Sequence, residues 1–214
     1  AGLCLGEGIV DSVDDFKTIG YDKDLDPNII DIWLTPERVK KISHILERKT
    51  YVSQTSCGIC GKKMMEDLNS VLTAAQNGFE MDIDQIFNCV GMLSKKQHYY
   101  PRTRGSHAAL LFDTHLNMIS FAEDVGRHNA LDKSIGKAFT DRKLAAASVL
   151  VLSSRISYEL VQKAARAKIP VIISKSRPTA LAVKMGKSLN MTLACAFEET
   201  KLLILCGESR IKTE

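Results

Sequence analysis

Between residues 148 and 197, three short, continuously apolar runs alternate with two segments of helical period, and this series constrains the fold more than any other feature of the chain. Ser148–Leu152, Pro170–Ile173 and Met191–Phe197 are too short for buried helices and rich in aliphatic residues, so they read as strands buried on both faces. Residues 156–167 and 179–189 carry apolar side chains at helical spacing. Strand, helix, strand, helix, strand is the order of a parallel sheet covered by helices. Upstream, His107–Phe112 and Met118–Ala122 flank the turn Asp113–Asn117 and predict a hairpin. A loop over Glu123–Asn129 then leads into a helix expected from about Ala130 to Phe139, and Lys201–Cys206 predicts an edge strand.

The first half reads differently. Asp26-Pro27-Asn28 is turn chemistry, Ile29–Leu34 reads as a short strand, and Thr35-Pro36-Glu37 opens a helix that Val39, Ile42, Ile45 and Leu46 carry to about Arg48. After a polar, glycine-bearing break over Gln54–Gly61, Leu68, Val71, Leu72 and Ala75 restore helical spacing until Gly78. Ile83, Ile86, Phe87, Val90 and Leu93 do so again after Asp82. The expectation is an α/β fold with a smaller, mainly helical N-terminal portion over residues 1–106 and an α/β portion over 107–214, forming one structural unit. At 214 residues and 45% apolar, the chain is long enough to bury such a core. It opens without Met and inside an apolar pattern, so an upstream segment is expected.

Charge and cysteine usage narrow the function classes. A net charge of +4, with basic residues scattered among acidic ones, implies no nucleic-acid partner. The run Leu144–Leu152 falls far short of the roughly 20 apolar residues that cross a bilayer, so no membrane association is expected. The six cysteines lack the dense spacing of a secreted disulfide framework, and no secretory signal is visible, which points to the cytoplasm. Cys4, Cys89, Cys195 and Cys206 stand in apolar contexts and read as small core residues.

Three strand ends look alike. Glu-Asp-Val-Gly-Arg127-His128-Asn follows Ala122, Ser153-Ser154-Arg155 follows Leu152, and Ser174-Lys175-Ser176-Arg177-Pro178 follows Ile173. In open α/β sheets ligands sit at that edge, where loops converge and the next helix offers free backbone N–H groups. Guanidinium groups there suit a phosphate or pyrophosphate, so the nucleotide end of a ligand is expected. Each loop taken alone also fits a solvated helix start with a serine cap. His107 reads as a packed strand residue or a proton donor, and His128 as the better ligand candidate.

Thr55-Ser56-Cys57-Gly58-Ile59-Cys60-Gly61-Lys62 is the centre of the chemistry. Two cysteines at this spacing suit thiol redox exchange, zinc binding or sulfur carriage, and spacing leaves all three open. Zinc would need further ligands, for which only the scattered His44, His98, His107 and His115 are at hand. Redox chemistry of the thioredoxin kind would place the pair at a helix start directly after a strand, whereas here a helical region precedes it. Sulfur carriage asks only for an accessible thiolate, whose population Lys62 and Lys63 would raise.

The Cys57 loop closely resembles that of the FdhD (NarQ) family of formate dehydrogenase accessory sulfurtransferases, as do Ser106-His107-Ala108-Ala109, Glu123-Asp124-Val125-Gly126-Arg127-His128-Asn129-Ala130-Leu131-Asp132-Lys133, Ser153-Ser154-Arg155-Ile156-Ser157-Tyr158-Glu159 and Ser174-Lys175-Ser176-Arg177-Pro178-Thr179-Ala180-Leu181-Ala182. The resemblance runs from the opening Leu-Gly-Glu-Gly-Ile-Val to about Leu203. It implies a cytidine deaminase-like layered sheet with helices on its faces, and a homodimer. It implies that Cys57 takes persulfide sulfur from a cysteine desulfurase, with Cys60 in the accessory position. The sulfur then becomes a ligand of the metal in a molybdenum or tungsten bis-guanine-dinucleotide cofactor, the bound acceptor, as formate dehydrogenase requires; no permanently bound metal is implied. The guanine nucleotide end would meet Arg127, His128, Ser154, Arg155, Lys175 and Arg177, and the family's C-terminal contact stretch falls on Phe197, Glu198, Glu199, Thr200, Lys201 and Leu202. This chain departs from the family there, with two carboxylates where a basic, glycine-containing stretch is common, and it lacks a strand and helix usual upstream of the opening motif. A cofactor-binding chaperone that moves no sulfur and a zinc-dependent deaminase-like hydrolase are the alternatives.

Overall fold

The structure, a computed structural model, describes residues 1–20, 29–43, 72–76, 78–197 and 200–212. It begins with helix α1 (Gly2–Gly6), strands β1 (Phe16–Gly20) and β2 (Asp31–Leu34), helix α2 (Pro36–Lys41), strand β3 (Met81–Asp82) and helices α3 (Ile83–Lys96) and α4 (Tyr100–Thr103). Then follow β4 (His107–Phe112), β5 (Met118–Asp124), α5 (Arg127–Thr140), β6 (Val149–Leu152), α6 (Tyr158–Arg166) and β7 (Val171–Ser174). The described chain closes with α7 (Ala180–Ser188), β8 (Thr192–Phe197), β9 (Lys201–Cys206) and β10 (Ile211–Lys212).

Six strands form one sheet in the order β5-β4-β6-β7-β8-β9. The three apolar runs β6, β7 and β8 pair in parallel, while β4 runs antiparallel to both β5 and β6, and β9 antiparallel to β8. Side chains alternate between the two faces at the strand period of two. Ala109, Leu111, Leu150, Leu152, Ile172 and Leu193 join residues of α1, α5, α6 and α7 in one core cluster. Ala108, Leu110, Val149, Val151, Val171 and Ile173 join Ile86, Val90 and Leu93 of α3 in the other. Helices thus cover both faces, and each buried aliphatic side chain contributes about 1.5–3 kcal/mol.

Local sequence explains where the helices begin. Asp82 accepts the Gln85 N–H at 2.7 Å while the Gln85 side chain accepts the Asp82 N–H at 3.0 Å, a reciprocal cap that starts α3. Thr35 caps α2 with Pro36 in its first turn, and Thr179 caps α7. Helix α1 lies unusually close to α5, since a Cβ on Gly2 would stand 1.9 Å from the Asp132 carbonyl oxygen. Arg38, buried in α2, donates to the carbonyls of Ile9 (2.7 Å) and Gly8 (2.8 Å) and pairs with Asp11, tying α2 to the segment after α1.

Three expectations need correction. The N-terminal portion holds two strands beyond the expected one, because β1 pairs antiparallel with β2, the strand expected over Ile29–Leu34, and β3 pairs in parallel with β10. Residues 72–76 are irregular although Leu72 and Ala75 keep helical spacing. Their backbone is engaged elsewhere: Ala75 N–H donates to Leu189 O (2.8 Å), Asn190 donates to Ala75 O (2.8 Å), and Arg210 donates to Gln76 O (3.1 Å). Finally, Glu123 and Asp124 belong to β5, and α5 starts at Arg127, because Gly126 serves as its N-cap residue.

Candidate functional site

Strand register gathers the predicted binding residues. His107 pairs with Asp124, Ala109 with Leu152, Leu152 with Ser174, Ser174 with Cys195, and Phe197 with Lys201. The carboxyl ends of β5 to β8 therefore share one edge with the starts of β4 and β9. Arg127, His128, Ser154, Arg155, Lys175, Arg177, Phe197, Thr200, Lys201 and Leu202 all lie along it. Cys57, Cys60, Glu198 and Glu199 lie outside the described residues.

The loops on this edge are bound to one another. The buried Ser174 hydroxyl donates to the Ser154 carbonyl at 2.5 Å and accepts the Ser176 N–H at 2.9 Å. Ser153 Oγ accepts the Ala108 N–H (2.8 Å), and Lys175 N–H donates to Leu152 O (3.1 Å). The Lys175 ammonium reaches Ser94 near the end of α3, joining the helix of the opposite face to the same edge. The Arg177 guanidinium stands over the Phe197 ring at 5.3 Å from its centroid.

Of the three arginines, only Arg127 sits in a helical first turn; Arg155 and Arg177 precede the N-cap residues Ser157 and Thr179. Arg155, Lys175 and Arg177 are exposed, whereas Arg127 and His128 are half-buried. Three exposed cations beside the starts of α6 and α7 can grip an anionic group through paired N–H donors. Thr200 and Lys201 are exposed, and Leu202 is half-buried against the α3 side of the core.

Both histidines are held toward the neutral form. Burial, then the nearby Arg127 charge, lowers the pKa of His107, and the same two causes act in that order on His128 against the opposing pull of Glu159. His128 Nε2 lies 3.9 Å from Glu159 Oε2, so the first turns of α5 and α6 face each other.

Sequence reasoning missed Glu123, Ser157 and Glu159. Glu123 accepts the backbone N–H groups of His98 (2.8 Å), Tyr99 (3.0 Å) and Tyr100 (2.7 Å), and the Ser106 hydroxyl (2.5 Å). Burial alone would push its carboxyl up, but the Ser106 hydroxyl and those N–H groups outweigh burial and hold it at about 2. Glu123 thereby fixes the segment before β4 against the site edge. Its signal in the sequence is only a carboxylate in a strand that ends among charged residues.

Among the described residues, no group of three or more His, Cys, Asp and Glu side chains is arranged to hold a metal ion. No helix among them is long and apolar enough to cross a membrane. A shallow pocket of about 410 Å³ opens at the opposite edge of the sheet, beside Lys187, Met191, Cys206 and Gly207. It shares none of the converging cations, and the Cys206 thiol beside it is buried, with burial first among the causes that raise its pKa.

Comparison with known proteins gives a consistent set of relatives. Residues 1–212 match the model of the FdhD/NarQ family. The chain is 35% identical over 192 residues to the sulfur carrier protein FdhD of Xanthomonas euvesicatoria pv. vesicatoria, covering 90% of this chain and 68% of that one. It is 34% identical over 222 residues to the sulfur carrier protein FdhD of Mycobacterium bovis, covering 98% of this chain and 80% of that one. A crystal structure of a candidate formate dehydrogenase accessory protein from Desulfotalea psychrophila superposes with a TM-score of 0.74 at 21% identity, over 99% of this chain and 77% of that one. At that identity the likeness concerns the fold alone.

Proposed function

The chain belongs to the FdhD/NarQ family, and from that premise we propose that it is a sulfur carrier serving formate dehydrogenase maturation, with Cys57 as the carrying thiol. The Cys57 thiolate attacks the outer sulfur of a cysteine desulfurase persulfide; the sulfur–sulfur bond of the donor breaks, and the desulfurase leaves as a thiolate. Cys57 then holds the persulfide, and Lys62 and Lys63 favour the thiolate that starts the step. The acceptor is a molybdenum or tungsten bis-guanine-dinucleotide cofactor, held as substrate at the strand-end edge by Arg127, Arg155, Lys175 and Arg177, with Phe197 to Leu202 alongside.

The observation that carries this reading is the family match over residues 1–212, which takes in both the Cys57 loop and the arginine-bearing edge. The sulfur carrier names of the Xanthomonas and Mycobacterium relatives support it. The sheet with helices on both faces is compatible with a cytidine deaminase-like layering, and we assign the chain to a cytoplasmic homodimer on the same family grounds.

The test is mass spectrometry after exposure to a cysteine desulfurase and cysteine. A gain of about 32 Da on the Cys57 peptide is expected, since a persulfide adds one sulfur to a reactive thiol. Loss of that mass in Cys57→Ala, together with loss of formate dehydrogenase activity in cells, completes it. A chain that restores activity without Cys57 carries no sulfur there, and the proposal falls.

A further inference from the structure

The segment joining α3 to β4 exposes cations that no neighbouring carboxylate neutralises. Lys95 and Lys96 end α3, Arg102 lies in α4 and Arg104 follows it, and all four are exposed. Between Asp84 and Asp113 the sequence holds no acidic residue. Exposed cations elsewhere have carboxylate partners: Lys133 pairs with Asp124, Arg142 with Asp14 and Lys212 with Glu80. None of these four takes part in an ion pair among the described residues. The two lysines also oppose the dipole of α3, but α4 has only four residues, so a helix dipole does not account for the arginines.

Two tyrosines stand among these cations, Tyr99 63% exposed and Tyr100 37%. The Arg104 guanidinium carbon lies 5.3 Å from the centroid of the Tyr100 ring, a contact that orients the cation and leaves its N–H donors free. The backbone beneath is fixed. Glu123 accepts the N–H groups of His98, Tyr99 and Tyr100, the Thr103 hydroxyl donates to Tyr99 O (3.0 Å), and Arg104 N–H donates to Tyr100 O (2.9 Å). Tyrosine and arginine dominate protein–protein binding, and a backbone already ordered lowers the entropy lost on docking. A small anion would pair with the cations and leave the Tyr99 ring in water. The complement is a protein face that sets carboxylates around an apolar contact for that ring.

Position selects which protein. Lys175 reaches Ser94, the residue before Lys95, and Glu123 pairs with Ala108 in the sheet, so this platform borders the strand-end edge. A protein seated on it faces whatever the edge holds, as the enzyme that receives a cofactor must. The sulfur donor has to reach only Cys57. We propose that Lys95, Lys96, Tyr99, Tyr100, Arg102 and Arg104 form the docking surface for an acidic face of the formate dehydrogenase that receives the cofactor. This inference rests on the sulfur-carrier reading and adds where the recipient enzyme sits.

Interferometry of the full chain against purified formate dehydrogenase lacking its cofactor tests it, with guanosine diphosphate affinity and sulfur loading of Cys57 measured in parallel. Arg102→Glu with Arg104→Glu should weaken the complex by about a hundredfold, because like charges then meet. Tyr99→Ala should weaken it by about tenfold or more, as loss of an anchor does. Association of the unaltered chain should slow by about tenfold between roughly 50 and 500 mM salt. Lys143→Glu with Lys168→Glu makes the same charge change at the opposite edge of the sheet and should leave the complex intact. Unchanged nucleotide affinity and Cys57 loading in the Arg102 and Arg104 variant support the platform and show that the variant is folded. An unaltered complex in that variant overturns the platform, as does absence of any complex with the unaltered chain. Loss of nucleotide affinity overturns it by assigning the cations to the cofactor, and loss of Cys57 loading alone overturns it by assigning them to the sulfur donor. The sulfur-carrier reading falls only if Cys57 of the unaltered chain takes up no sulfur.

Discussion

The guanidinium carbon of Arg177 stands 5.3 Å from the centroid of the Phe197 ring, so a residue following β7 is joined to the last residue of β8 by a cation–π contact. An aromatic face orients the cation without consuming its N–H donors, which stay available to an anion. Phe197→Leu keeps the apolar bulk and removes the ring. Guanosine diphosphate affinity should fall about two- to fivefold, in keeping with a contact worth roughly 0.5–1 kcal/mol at an exposed site. Calorimetry showing unchanged affinity would mean that Arg177 needs no such support.

Glu123 should make stability depend on pH in a defined window. Its carboxyl has an ordinary value of 4.5 and sits at about 2 in the folded chain, so the folded state holds the proton less tightly. The stabilisation is therefore complete above 4.5 and is lost as pH falls from there toward about 2. Glu123→Gln should cost about 1–2 kcal/mol near neutral pH. In thermal melts the gap between the two proteins should close as pH falls through this window. A gap that stays constant with pH would show that the charge contributes nothing.

Lys163 and Asp132 form a buried ion pair, 2.8 Å apart, with side chains 7% and 13% exposed. Lys163→Ala strands the Asp132 carboxylate against α1 and should destabilise by about 3 kcal/mol or more. The double variant Lys163→Met with Asp132→Leu should recover much of that loss in urea unfolding. A double variant no more stable than the single one would show that the pair supplies net attraction.

Thiol labelling separates the cysteines by burial. Cys4, Cys89, Cys195 and Cys206 are all buried, and burial pushes the Cys89 and Cys195 thiols up to about 11. Brief alkylation of the native chain near neutral pH should leave these four unmodified, because the thiolate is the reactive form. Label should appear only on Cys57 and Cys60. Peptide mapping that found Cys89 or Cys195 modified in the folded protein would contradict the packing described.

The sheet was legible where one strand carried one signal. The runs His107–Phe112 and Lys201–Cys206 coincide with β4 and β9, and the three continuously apolar runs match β6, β7 and β8 to within a residue at each end. Strand β1 was not, because Phe16-Lys17-Thr18-Ile19-Gly20 lacks clean alternation and ends in glycine, and its pairing with β2 decides it. Residues 72–76 misled in the opposite sense, since helical spacing yields when backbone groups find partners such as Leu189 and Asn190. At the site, arginines after strands were visible as a repeated pattern. Ser157 and Glu159 were not, since a serine and an acid at a helix start suit capping and the helix dipole. Only the geometry shows a hydroxyl that does not cap.

Ser157 Oγ and both Glu159 carboxylate oxygens are buried without a hydrogen bond among the described residues, and this bears on how long the molecule lasts. An empty chain holds part of its folding free energy in reserve, and any compound that satisfies those atoms raises the unfolding free energy in proportion to the logarithm of its concentration. Loaded copies would then resist proteolysis and heat better than empty ones, so turnover inside a cell would follow cargo.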